Sequence, residues 1–126
     1  VGRQWRRRDF FLTVEADRVG SITSLAVAIP EDPAPGLRIG LSIGWPHRER
    51  LLLGALTMGE LVERLGRPSD VQSFNAENTW FYTYVYPAGP EAIERVEFTH
   101  SNFGEEIPPE DLADRPVTSF SVQYRT

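Results

Sequence analysis

The stretch Thr57-Met58-Gly59-Glu60-Leu61-Val62-Glu63-Arg64-Leu65-Gly66-Arg67-Pro68 carries the start, the face and the stop of one short helix. Thr57 stands three residues before Glu60, the capping-box spacing in which each side chain satisfies the other residue's backbone N–H. Met58, Leu61, Val62 and Leu65 recur at i, i+3, i+4 and i+7, so two turns present a single apolar stripe. Gly66 suits the left-handed cap that ends a helix, and Pro68 blocks continuation. A helix over about residues 58–65 is marginal by itself. The stripe therefore needs a layer to cover, and the flanking sequence supplies strands.

Downstream, Trp80, Tyr82, Tyr84 and Tyr86 alternate with Phe81, Thr83 and Val85, the period of a strand with two distinct faces. Pro87 to Pro90 reads as a turn. Ala92, Val96 and Phe98 then alternate with Arg95, Glu97 and Thr99, which predicts an antiparallel partner with Arg95 and Glu97 toward water. Ser101 to Arg115 holds Pro108, Pro109 and five carboxylates and reads as a long acidic loop; Thr118, Phe120, Val122 and Tyr124 make a last strand.

Upstream, Phe10 to Glu15 and Ile22 to Ile29 read as a hairpin turning near Gly20, followed by a stiff loop from Pro30 to Gly36. Leu37, Ile39, Leu41 and Ile43 alternate with small or polar residues and predict a third strand. The stretch Arg48 to Leu56 fits either a short helix or a buried strand. The expected fold is α+β: an antiparallel sheet of about six strands in two meanders, with one short capped helix packed on one face. Residues 1–9 read as a basic flexible arm, and residues 10–126 as a single domain.

At 126 residues, 40% hydrophobic and 25% charged, the chain is neither disordered nor fibrous. Its longest apolar run, Leu51 to Leu56, is broken by Gly54 and falls far short of the roughly 18–20 residues of a membrane-spanning helix. With no cysteine there is no disulfide, thiolate zinc site, Fe–S cluster or cysteine nucleophile. With no lysine, a Schiff base and a P-loop are excluded as well. All thirteen basic residues are arginines, and Arg3, Arg6, Arg7 and Arg8 gather around Trp5, leaving an acidic body. Such a distribution does not fit a nucleic-acid reader, and no nucleic acid is expected as a partner. Trp5, Arg6, Arg7 and Arg8 suit proximity to a membrane, where an indole sits at the interface and arginines meet lipid phosphates; the alternative is a solvated terminus. The chain opens on Val1, and a removed upstream segment is expected.

The run Leu56 to Pro68, with its Leu-Gly-x-Pro stop, resembles the helix of a family of small lipoproteins. Phe74-Asn75-Ala76-Glu77-Asn78-Thr79-Trp80-Phe81-Tyr82 is similar to the same family's loop leading into a Trp-x-Tyr strand. The family is the SmpA/OmlA (BamE) type of the bacterial outer-membrane β-barrel assembly machinery, whose members share a β-lactamase-inhibitor-like fold. The likeness spans residues 56–104. It implies a non-catalytic scaffold or inhibitor-like module outside the cytoplasm, touching protein partners through its sheet and loops.

No H-E-x-x-H helix, G-x-S-x-G elbow or G-x-G-x-x-G fingerprint is present. His100, beside Ser101 and near Glu97, reads either as an acid/base group or as a surface or capping histidine, and His47 as a loop residue. Glu105, Glu106, Glu110, Asp111 and Asp114 lack the spacing of a calcium loop; they read as a solvated loop able to steer a basic partner. The row Trp80, Tyr82, Tyr84 and Tyr86 is either a binding surface or the core under the helix. No catalytic, cofactor-binding or metal residue is expected. The partner-binding candidates are Trp80, Tyr82, Tyr84, Tyr86, Glu105, Glu106, Glu110 and Asp111.

The function expected is a non-enzymatic binding or scaffold module, the soluble part of a bacterial envelope lipoprotein or membrane-anchored protein, with the cytoplasm as the alternative location. The alternative function is an inhibitor or immunity-type protein that binds a target enzyme through the acidic loop. A small-ligand carrier or small enzyme built on His100 and the tyrosines is a third reading.

Overall fold

Alternating residues become strands, and the capped stripe becomes the helix. The structure, a computed structural model, describes residues 2–6, 10–29, 36–43, 48–86, 92–102 and 105–125. In chain order the strands are β1 (Gly2–Arg6), β2 (Phe11–Ala16), β3 (Ile22–Ala28), β4 (Ile39–Ile43) and β5 (Glu49–Leu53). After helix α1 (Met58–Leu65) come β6 (Asp70–Phe74), β7 (Thr79–Val85), β8 (Ile93–Ser101) and β9 (Ser119–Tyr124), with a 3₁₀ helix, Pro109–Asp114, before the last strand. Arg7, Arg8, the prolines of the 30–35 loop, His47 and the 87–90 turn lie outside the described residues.

The fold is α+β. Seven strands form one antiparallel sheet in the order β1-β2-β3-β9-β8-β7-β6, and β4 and β5 form a separate two-stranded sheet. The two meanders are present, β1–β3 and β6–β9, joined where Ser24–Ala28 of β3 pairs with Gln123–Ser119 of β9. Their membership differs from the expectation of about six strands. The strand expected third, β4, leaves the main sheet and pairs with β5. Its place is taken by residues read as a flexible arm: Gly2–Arg6 pairs residue for residue with Glu15–Phe11, Trp5 opposite Leu12. Arg3 and Arg6 masked a backbone that needed only a free edge to pair with.

The ambiguous stretch is strand β5, with Leu51 and Leu53 buried and Leu52 turned out. β6 is exposed along its whole length, so it lacks the half-buried alternation by which a strand is read. The acidic loop is partly ordered by its 3₁₀ helix, whose Leu112 is buried.

Helix α1 follows its sequence closely. Thr57 Oγ1 accepts the Glu60 backbone N–H at 3.2 Å, and Gly66, at φ +83°, ends the helix by donating its N–H to Val62 O at 2.9 Å. Met58, Leu61 and Leu65 are buried, while Val62 lies at the rim. Helix and 3₁₀ helix approach through Gly59, where an added Cβ would stand 2.8 Å from Ala113 O. Backbone bonds from Met58 N–H to Arg115 O and from Val117 N–H to Leu56 O, both 2.9 Å, tie the helix start to the run into β9.

One cross-strand row places the core. Trp5, Leu12, Val27, Phe120, Phe98, Tyr82 and Val71 are successive partners across all seven strands and share one face. Phe98 is 1% exposed in the middle, whereas Trp5 and Val71 at the ends are 45% and 47% exposed. Leu51, Leu53, Leu56, Met58 and Leu61 belong to the same buried cluster. Fully burying one such side chain contributes roughly 1.5–3 kcal/mol, so this face holds most of the stability.

Candidate functional site

The aromatic row belongs to that core. Trp80, Tyr84 and Tyr86 are buried and Tyr82 is half-buried, so these four do not form the exposed binding face that the sequence left open. The alternation points them to the side covered by α1, and the polar ends of Trp80 and Tyr84 find backbone partners. The Trp80 indole N–H is shared between Glu77 O at 3.1 Å and Ile107 O at 3.3 Å. Tyr84 donates its hydroxyl to Gly66 O at 2.9 Å and meets Phe98 edge-on at 6.0 Å between ring centroids. Burial raises the Tyr86 hydroxyl pKa to about 12, and it pushes Tyr84 up further, helped by neighbouring Tyr86 and Tyr82. Tyr82, also raised by burial, borders a shallow recess beside Thr57, Glu63 and Asp114.

The acidic candidates divide differently. Glu105, Glu106, Glu110 and Asp111 are all exposed, as is Asp114. Buried Ile107 and Leu112 anchor the segment beneath them, and Ile107 N–H donates to Glu77 O at 3.1 Å. Among the described residues, no group of three or more His, Asp or Glu side chains is placed to hold a metal ion. Of the basic end, Trp5 is exposed on β1, and Arg6 contributes its backbone to the same strand.

His100 is 4% exposed and lies on the core face, opposite Trp80. Its Nδ1 is 2.6 Å from Pro116 O and therefore carries the proton, leaving buried Nε2 without a partner among the described residues. Burial lowers its pKa, the Pro116 hydrogen bond partly opposes this, and Arg115 adds to the lowering. The residue acts as a fastener between β8 and the strap into β9.

The opposite face of the sheet holds an arrangement that the sequence reading passed over. Phe11, Ala28, Ser119, Thr99 and Phe81 are successive partners across β2, β3, β9, β8 and β7. The neighbouring row runs Thr13, Ala26, Ser121, Glu97 and Thr83. Small side chains floor the middle and two phenylalanines stand at the sides, about 19 Å apart at four strand spacings. The result is an open trough of about 570 Å³. Glu97 is its one carboxylate among the described residues, held by the Thr83 hydroxyl at 3.4 Å. The signal was present in the alternation itself: Ser119 and Ser121 separate Phe120 and Val122, and Ala26 and Ala28 flank Val27. A solvated strand face usually carries long polar side chains; the centre of this one carries Ala26, Ala28, Thr99, Ser119 and Ser121 instead, with Gln4 and Glu97 at the margins of the trough.

Set against known protein families, curated proteins and solved structures, the chain matches none.

Proposed function

We propose that the chain is a non-enzymatic protein-binding module that receives a partner segment in the trough of its main sheet. The observation that carries this reading is the trough's floor. Ala26, Ala28, Ser119 and Ser121 on the two central strands let another backbone approach closely, while Phe11 and Phe81 offer rigid apolar contact on either side. A partner that places a basic group opposite Glu97 would gain electrostatic complementarity and a fixed register. The placement in a bacterial envelope rests on the resemblance of residues 56–104 to assembly lipoproteins.

A second reading is favoured by the exposure of Glu105, Glu106, Glu110 and Asp111 on an anchored segment: an inhibitor or immunity-type protein that meets a basic enzyme surface with these carboxylates. One experiment separates the two. A photo-crosslinking residue is placed at Ser121 in one variant and at Glu110 in another, and each is irradiated in the native cell. A discrete adduct from Ser121, lost on Phe81→Ala, is the expected result. Adducts from Glu110 alone transfer the function to the acidic segment, and adducts from neither overturn both.

A further inference from the structure

At its β1 end the core-side face of the sheet runs out from under the helix. Trp5 lies opposite Leu12 and Arg3 opposite Val14 on this face. Trp5, Phe10, Leu12, Val14 and Ile22 line an open recess of about 430 Å³. Trp5 is 45% and Ile22 52% exposed, and Val19, in the turn between β2 and β3, is 85% exposed. Arg3 and Arg18 stand exposed in the same region. Of the described acids nearby, the exposed Asp17 carboxylate accepts the Val19 and Ser21 N–H groups at 3.0 Å within the turn, and Glu15 lies on the other face, opposite Gly2 and Ser24. Along the sequence, charge is divided unevenly. Residues 1–22 carry five arginines against three carboxylates, and residues 23–126 carry eight against fifteen.

We propose that this end of the sheet docks on an anionic lipid bilayer, with Trp5, Val19 and Ile22 entering the headgroup layer and the arginines meeting lipid phosphates. Indole rings favour that depth, and a partly exposed apolar stripe rimmed by arginine combines the two attractions that hold peripheral proteins to membranes. The acidic remainder of the domain is repelled by the same surface, which sets a single orientation. A second copy fits the patch poorly, because a symmetric contact would bring two arginine-rich strands together. The proposal goes beyond the trough reading and shares no residue with it.

The test is co-sedimentation with vesicles of phosphatidylcholine containing about one third phosphatidylserine, against vesicles of phosphatidylcholine alone. The chain is expected to sediment with the anionic vesicles only, and less as salt is raised. Arg3→Glu, a change of two charges, should weaken binding roughly thirtyfold. Trp5→Ala and Ile22→Ser should each weaken it several-fold with an unchanged circular dichroism spectrum. Failure of the wild-type chain to sediment, or equal sedimentation with the neutral vesicles, overturns the proposal. So does indifference to both apolar substitutions, which would mark unspecific charge attraction. A dimer in sedimentation equilibrium that Trp5→Ala dissolves overturns it in favour of a second copy.

Discussion

The two faces of β3, β9 and β8 come from one alternation and end in opposite states. Val27, Phe120, Val122, Val96 and Phe98 are at most 5% exposed on one side, while Ala26, Ala28, Ser119, Ser121 and Thr99 line an open trough on the other. What separates them is the connection between the meanders. The segment linking β3 to β6 carries β4, β5 and α1 to one side, and with them Leu51, Leu53, Met58 and Leu61. Alternation says that a strand has two faces; the route of the chain decides which one becomes core.

The sharpest way to break this comparison is to truncate one residue on each face. Phe98→Ala should cost about 3–5 kcal/mol, the range for deleting a large aromatic side chain from a packed core, whereas Ser121→Ala should stay within about 0.5 kcal/mol. Urea unfolding of both variants measures the contrast. Equal losses would mean that the trough is as structural as the core and would remove the basis of the proposed binding reading.

A subtler contrast uses pH. His100 lies on the covered face with its pKa lowered chiefly by burial, so the unfolded chain binds its proton more tightly than the folded one does. The stability it confers is fully present above the ordinary histidine value of about 6.5 and is lost as pH falls through the lower folded value. Urea midpoints should therefore drop on acidification, and His100→Asn, which keeps a donor for Pro116 O, should flatten that part of the profile. An unchanged profile would place a solvated imidazole where the structure has a buried one.

The elements that the sequence made legible are those whose signal is local. Thr57, Glu60, Gly66 and Pro68 mark the helix within twelve residues, and β7, β8 and β9 alternate cleanly. What escaped depends on distant partners. Gly2–Arg6 became a strand because β2 offered an edge, and β6 because β7 did; neither carries a buried face of its own. The aromatic row was visible as a row, but whether it was core or surface turned on where α1 would sit. The trough was missed for a related reason. Small residues at alternate positions look like the absence of a signal until the neighbouring strand is known to repeat them in register.

The covered face also reaches beyond itself, into the turn between β6 and β7. Asn75, Ala76 and Glu77 have φ of +52°, +55° and +66°, a left-handed run that costs a residue with a Cβ about 1–2 kcal/mol. Asn75 tolerates that region and accepts the Asn78 N–H at 3.3 Å, but nothing local in Ala76 or Glu77 supplies the energy for the other two. The bonds that do come from the core side: the Trp80 indole and the Ile107 N–H both donate to Glu77 O at 3.1 Å, so packing of the buried tryptophan holds the turn in its strained form. Ala76→Gly removes the steric cost at one position and adds backbone entropy to the unfolded chain, for a net gain of about 0.5–1 kcal/mol. Thermal unfolding should show a rise of a few degrees. A fall instead would mean that the turn is not strained at Ala76, and that Trp80 seals the end of the core without holding the chain against its own preference.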